Sequence, residues 1–485
     1  MSSNDLNTEI AKKPATKDRK QVIKHLLTYG LGTAADAAAA FFVTPILAHT
    51  LSTSDYGVLE LLNRSAAIIY GLVGTAICQA FFRFYLDKDD PKMRGAVVTM
   101  TFNSMAAVLS LAVLLIYCFR SMISTALWHT EAYSYAVFLA AIVMAITLLF
   151  RIGMVHLQAT MKSSLYVACS ILNGFGMIVA CWVAVSKMGL GLKGAILSQI
   201  IVTSVLGAVL FASAWFKHTH VINKPLAKEM LRFAAPFVPS AALAWVLHNI
   251  DRYWINQLYG ASETGIYSLG WKIGFSVALV SEPVMRLWTP HALTLVQTKG
   301  GQFQLGKYIS YVFGLLCCAG LALSLFAPEI VRLMSAKEYW EAYKVVPIVT
   351  AAYAVWGVCS MSDIGIIVSK RTVFKPLIFL AACIVSILGN MLAVPKFGML
   401  AAAWTCLSAM IVFYLLQAYI TNKIYPIGLK LPSMCVSFSI GICAYLIASG
   451  SSVLIRVVVL ILCVIAHGAF LLFCRRRWAK TNTLA

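Results

Sequence analysis

Charge is scarce in this chain. Only 12% of its 485 residues are Asp, Glu, Lys or Arg, and just 18 of them are acidic, which excludes an ordinary water-soluble domain. Strands of a membrane barrel would alternate polar and apolar residues, and no such alternation is present. The 13 cysteines include no CxxC pair and join no histidine at ligand spacing, so neither a disulfide framework nor a metal site is expected. The nine histidines are dispersed, without the pattern of a nucleophile and its base. No connecting segment on the exterior side exceeds about 15 residues, which leaves no room for an inserted soluble domain. The basic start, "MSSNDLNTEIAKKPATKDRKQVIKH", is followed by an apolar run without a small-residue cleavage site, so no removable signal peptide is read.

What remains is apolar. Hydrophobic residues make up 60% of the chain and mean hydropathy is +0.83, arranged in runs of roughly 20 residues that suit a helix crossing about 30 Å of hydrocarbon. The pattern predicts an all-α polytopic membrane protein of about 14 transmembrane helices, within a range of 12–14. The spans are expected at 24–50, 57–86, 95–119, 133–156, 164–186, 193–216, 230–258, 264–290, 306–328, 343–368, 373–394, 398–421, 432–449 and 453–474. With both termini cytoplasmic, about 28 of the 39 Lys and Arg fall on the cytoplasmic side and about 8 on the other. The net charge of +21 is then a topology signal, and nucleic acid needs no place among the partners.

An internal repeat organises the spans. "LSTSDYGVLELLNRS" at 51–65 aligns with "YGASETGIYSLGWKI" at 259–273 at an offset of 208, placing Ser54 on Ser262, Asp55 on Glu263, Gly57 on Gly265 and Leu61 on Leu269. "AVSKMGL" at 184–190 matches "AVPKFGM" at 393–399 at 209, and Lys162 and Tyr166 fall opposite Lys370 and Phe374. Two homologous halves of six helices follow, in the same orientation and related by an axis along the membrane normal. The expected division is a basic N-terminal segment (1–23), an N-lobe (24–222), a C-lobe (223–430) and a C-terminal hairpin with a basic tail (431–485).

The same offset carries Arg64 onto Lys272. Each lies about eight residues, roughly 12 Å, inside the outer end of its helix. A cation at such depth costs on the order of 2.5–3.5 kcal/mol and should face a watery cavity or an anionic partner. The paired cations therefore predict a positive central cavity, with Arg252 as a third candidate. The plainer reading of Arg64 is an ion pair with Glu60, four residues earlier on the same helix face. Asp251 on the preceding helix is the acid available to Lys272, and His248, Asp251 and Arg252 form a candidate gating or packing network. Asp36, mid-span among small residues in "TAADAAAAFF", is a candidate ion-coupling carboxylate. Arg83 and Arg286 are placed at the cytoplasmic mouth, where snorkelling to lipid headgroups explains them equally well. Pro45, Pro236, Pro239 and Pro283 mark bends, and Trp128, Trp254, Trp288 and Trp340 read as interface anchors.

The stretches "LLTYGLGTAADAAAAFFVTPILAHTLSTSDYGVLEL", "NIDRYWINQLYGASETGIYSLGWKI" and "SKRTVFKPLIFLAACIVSILGNMLAVPKFGMLAAAW" together resemble the polysaccharide-transporter branch of the multidrug/oligosaccharidyl-lipid/polysaccharide (MOP) exporter superfamily, the Wzx-type O-antigen flippases. The resemblance implies a V-shaped pair of helical lobes in a bacterial inner membrane. It implies transfer of an undecaprenyl-diphosphate-linked oligosaccharide, the repeat unit of O-antigen, capsule or exopolysaccharide, from cytoplasmic to periplasmic leaflet, by a protein that is no enzyme and needs no cofactor. Related lipid II flippases carry essential cations on their second and eighth helices, which Arg64 and Lys272 resemble by position. Partners implied are the lipid-linked oligosaccharide, membrane lipids, a polysaccharide polymerase and a chain-length regulator. Two alternatives stand beside this one. A cation-coupled multidrug antiporter of the same superfamily would favour an acidic cavity, and a membrane polymerase or acyltransferase would call for a long exterior loop or a histidine-centred site.

Overall fold

Inside hydrocarbon a backbone must satisfy its own hydrogen bonds, and a helix does so within one segment. The computed structural model describes residues 16–87, 90–298, 301–369, 371 and 373–482, and among them there are helices and no strand. In chain order they are α1 (Thr16–Thr50), α2 (Thr53–Asp87), α3 (Pro91–Trp128), α4 (Ser134–Ala159), α5 (Ser163–Lys187), α6 (Gly191–Trp215), α7 (Lys224–Ala234) and α8 (Phe237–Phe275). They continue as α9 (Ala278–Val296), α10 (Gly301–Leu325), α11 (Ala327–Met334), α12 (Val346–Val368), α13 (Phe374–Ile424), α14 (Leu431–Ala448) and α15 (Val453–Asn482). Ten described helices are long and apolar enough to cross a membrane, or eleven when α7 and α8, bent by 40° at Pro236, count as one. The chain is a multi-pass membrane protein.

The difference from fourteen lies in a few joints. Helix α8 is broken at Gly260 (φ 82°) and α13 at Gly398 (φ 60°), near the places where the sequence divides two spans. The ladder is formally continuous there although the rods change direction. Helix α1 begins at Thr16, inside the segment expected to be a polar tail, and the span expected at 264–290 is interrupted between Phe275 and Ala278.

The repeat is visible in these irregularities. Gly189 (φ 64°) and Gly398 (φ 60°), equivalent in the repeat, both take the left-handed backbone that glycine adopts without steric cost. Helix α2 carries a π turn at Tyr70–Gly74, and an offset of 208 carries it onto 278–282, the first turn of α9, directly after the interruption that follows Phe275. Such turns mark points where a helix can bend.

Helices α2 and α8 cross at close range. A Cβ on Gly57 would stand 1.9 Å from the Ala261 carbonyl oxygen, and one on Gly265 would stand 2.1 Å from that of Thr53. Thr53 and Ala261 are themselves repeat equivalents, so two related helices cross at their own glycines, as small residues allow. A hydroxyl bond from Thr53 to Ser262 (2.7 Å) closes the crossing. Nearby, Tyr339 donates to the carbonyls of Leu51 (3.1 Å) and Ser52 (2.9 Å), and the Ala336 amide donates to Ala48 (3.1 Å). One apolar core lies within residues 76–234, a second within 247–434, and a third mixes 43–196 with 269–346 at this end of the bundle. Trp288 belongs to the second core, where it is buried and donates to the Met361 carbonyl, so it is no interface anchor.

Candidate functional site

One turn below the glycine crossing, the i, i+4, i+8 face of α2 presents Tyr56, Glu60 and Arg64 toward α8. Because α2 begins at Thr53, Arg64 is about 16 Å along its helix, deeper than the sequence suggested. Lys272 Nζ donates to Glu60 Oε1 at 2.7 Å and to the Tyr56 hydroxyl at 3.1 Å. Arg64 Nη2 lies 3.5 Å from Glu60 Oε2. The two repeat-related cations therefore share one carboxylate. Glu60 is the acid that meets Lys272, in place of the Asp251 that the sequence made available.

Asp251 is engaged elsewhere. It accepts from Arg252 Nη1 at 3.1 Å and from the Tyr267 hydroxyl at 2.5 Å, and Arg252 Nη1 also donates to the His248 carbonyl. The Nε and Nη2 of Arg252 have no hydrogen-bond partner. The indole of Trp271 joins the two groups, with the Arg64 guanidinium 5.0 Å and that of Arg252 4.2 Å from its ring centre, an attraction of about 0.5–2 kcal/mol each. His248 Nδ1 lies 3.1 Å from the Tyr353 hydroxyl, and the Tyr353 ring meets Trp271 edge-on. Trp245 donates to the Arg64 carbonyl, and Ser65 bonds Tyr253, so α2 and α8 are pinned along the whole network.

Exposure separates the cations. The side chains of Arg64 and Lys272 keep 26% and 24% of their surface open, whereas Arg252 has none. Arg64 and Lys272 are thus open to contact from outside the network, whereas Arg252 is enclosed against Trp271. Three cations stand with two carboxylates, which leaves one positive charge without a counter-charge in the network.

The other predicted residues lie apart. Asp36 sits on α1 against α5, where Gly32 meets Tyr166 and Gly174 meets Ala39 in the close packing expected from small residues. Its Oδ1 has no hydrogen-bond partner, with Ser170 and Arg151 nearby. Arg83 is exposed at the far end of α2, its guanidinium 5.2 Å from the Phe233 ring of α7. Arg286 is on α9, and its side chain lies outside the described residues. Tyr56, Tyr267, Trp271 and Tyr353 escaped the sequence reading. The spacing Tyr267, Trp271, Phe275 on one helix face was the available signal for two of them.

An apolar cleft of about 230 Å³ opens between α10, α12, α13 and α14, lined by Leu316, Gly320, Ala351, Trp404, Phe438 and Tyr445 among others. Among the described residues no cluster of His, Cys, Asp and Glu is arranged to hold a metal ion.

Comparison with known proteins adds two findings. The pattern of a family described as "Polysaccharide biosynthesis protein" matches residues 22–282. In structure, the chain is similar to a lipid II flippase, MurJ, in an inward closed conformation (TM-score 0.74, 14% identity, covering 93% of this chain and 99% of that one). It is also similar to a multidrug resistance MATE family transporter of the MOP superfamily in an inward-facing conformation (0.62, 12%, 82% and 95%). The Vibrio cholerae MATE transporter VcmN is a further match (0.59, 12%, 83% and 96%). No curated protein matches in sequence. The fold is shared with these structures over nearly their whole length.

Proposed function

The chain belongs to the polysaccharide biosynthesis protein family, and from that premise we propose that it is a flippase carrying a polyprenyl-diphosphate-linked oligosaccharide from the cytoplasmic to the periplasmic leaflet of a bacterial inner membrane. The observation that carries this reading is the charge balance of the α2–α8 network. Three cations face two carboxylates, and the two open cations are the repeat-related pair. A diphosphate is the complement of such a site, since its oxygens accept charge-assisted hydrogen bonds from lysine and arginine.

In this mechanism the head group enters between the lobes (24–222 and 223–430) while the polyprenyl tail stays in lipid along the cleft beside the terminal hairpin (431–485). Arg64 and Lys272 compensate its charge. The lobes then rock about the crossing at Gly57 and Gly265, with the π turn of α2 and the interruption before α9 as flexing points. Asp36 is the proposed coupling carboxylate, and both termini are cytoplasmic. A polymerase and a chain-length regulator would act on the delivered repeat unit.

A multidrug antiporter shares the fold, but a cationic drug needs a free carboxylate, and Glu60 and Asp251 are each held by basic side chains. The test replaces Arg64 and Lys272 with Ala and measures lipid-linked oligosaccharide in cells. Accumulation of the precursor with loss of surface glycan is expected. Normal surface glycan in a correctly inserted double variant would sink the proposal.

A further inference from the structure

Two connections close the end of the bundle that the count of positive residues assigns to the exterior, and the repeat relates them. The segment after α10, made of α11 and a 3-10 turn at Lys337–Lys344, lies across the α1–α2 turn. Its Ala336 amide donates to the Ala48 carbonyl at 3.1 Å, and its Leu333 carbonyl lies 3.2 Å from His49 Nε2. At an offset of 208, Ala48 falls on Asn256, His49 on Gln257 and Ala336 on Trp128. Asn256 donates to the Leu127 carbonyl, and Gln257 Nε2 lies 3.4 Å from His129 Nε2. Each half of the repeat thus lays its connection over the other, at the same two positions.

The two clasps are unequal. In the one at 327–344, Tyr339 is fully buried and gives its hydroxyl to the carbonyls of Leu51 and Ser52. The Ala342 carbonyl beside it packs on Gly270 of α8, where a Cβ would come within 2.5 Å. In the other clasp the position of Tyr339 is taken by Glu131, which is exposed, and Trp128 Nε1 and Asn256 Oδ1 are buried without a hydrogen-bond partner.

Only the first clasp reaches the cations. The Tyr339 ring meets that of Tyr56 edge-on, with centres 5.7 Å apart, and the Tyr56 hydroxyl accepts from Lys272 Nζ at 3.1 Å. The repeat equivalent of Tyr56 is Thr264, whose hydroxyl is spent on the Gly260 carbonyl of its own helix. Closing the end of a helix pair therefore does not require the chain Tyr339, Tyr56, Lys272, since the related clasp closes without it.

We propose that Tyr56 makes the clasp at 327–344 a latch governed by Lys272. While Lys272 donates to Tyr56, the Tyr56 ring is fixed against Tyr339, and Tyr339 holds the α1–α2 turn. An anion that draws Lys272 away removes that donor, frees the Tyr56 ring and loosens the edge-to-face contact on which Tyr339 rests. Ser52 is exposed, so water replaces Tyr339 on its carbonyl when the latch lifts. The part played by an anion rests on the function proposed above; the link from Lys272 to the latch does not.

Hydrogen exchange of the purified full chain in detergent, read by mass spectrometry, tests the latch. In a peptide spanning 327–345 the Ala336 amide reports its release. Tyr339→Phe removes a neutral hydrogen bond and should speed exchange there about 2- to 13-fold. Tyr56→Phe keeps both rings, cuts the bond to Lys272 and should speed it about 2- to 30-fold, as coupling through a packed network does. Neither should change a peptide spanning 125–137, the unlinked clasp, which controls for loosening of the whole bundle. Lys272→Met should act like Tyr56→Phe and reads the same link if that variant does not purify as a monodisperse protein. Unchanged exchange at 327–345 in Tyr56→Phe, or an equal rise in both peptides, overturns the proposal. Inorganic pyrophosphate added to wild type should speed exchange at 327–345 alone. If the variants respond and pyrophosphate does nothing, the latch stands and the anion reading falls.

Discussion

Replacing Glu60 with Gln separates the two roles that the structure gives it. As the counter-charge shared by Lys272 at 2.7 Å and Arg64 at 3.5 Å, it stabilises the empty protein. As an anion already seated on both cations, it competes with any anionic ligand. Removing one partner of a buried ion pair costs about 3–5 kcal/mol, and because Lys272 and Arg64 keep about a quarter of their surface open, the lower end is expected. The same variant should bind inorganic pyrophosphate more tightly than wild type. One charge-assisted hydrogen bond freed for the ligand is worth about 1.5–3 kcal/mol, or roughly 10- to 150-fold in affinity. The assay is thermal unfolding in detergent with and without pyrophosphate. The variant should melt lower when empty and recover more on adding ligand. The reasoning fails if the variant melts like wild type, or if pyrophosphate raises both melting points equally.

Three further substitutions follow from the same geometry. Gly265→Leu forces side-chain atoms against the Thr53 backbone, 2.1 Å from where its Cβ would stand. Overpacking costs about 1–3 kcal/mol and should part the crossing, seen as faster maleimide labelling of a cysteine placed at Ser262. Trp271→Ala removes the ring that both guanidiniums face and should cost about 3–5 kcal/mol, with Trp271→Phe much milder in the same melt; equal losses from both would deny the ring a role. Asp36→Asn should leave pyrophosphate binding intact while abolishing acceleration by an ion gradient in reconstituted vesicles, and unchanged acceleration would remove Asp36 from coupling.

The equivalence of certain glycines was legible because a repeat keeps what backbone geometry demands. Gly57 with Gly265, and Gly189 with Gly398, recur since one pair crosses without room for a Cβ and the other takes a left-handed turn. That Arg64 and Lys272 lie inside apolar helices was legible too, since charge is so sparse in these spans, although α2 begins earlier than expected and sets Arg64 farther along it. Their partner was not, because Glu60 meets Lys272 across 212 residues and no local spacing encodes that contact. Trp271 passed as one more apolar residue in an apolar helix; its role appears only when Arg64 and Arg252 arrive from two helices. The contact between His156 and His218 was hidden for the same reason, since one is on α4 and the other in the segment after α6.

The repeat also explains why the site is charged at all. At an offset of 208, Glu60 falls on Ser268, which is buried with its hydroxyl unpartnered. A fully symmetric crossing would carry a carboxylate on each side, one for each of Arg64 and Lys272, and would leave nothing for a ligand to neutralise. At this position only the N-terminal half carries an acid, so Glu60 is divided between Arg64 and Lys272 while Asp251 is taken up by Arg252. The shared backbone crossing is what, in the proposed mechanism, lets the halves move as equivalents, and the missing second acid is what leaves the α2–α8 network with one positive charge to spare. In the proposed mechanism motion and selectivity thus reside in different parts of one repeat: the glycines common to both helices, and the one position where they differ.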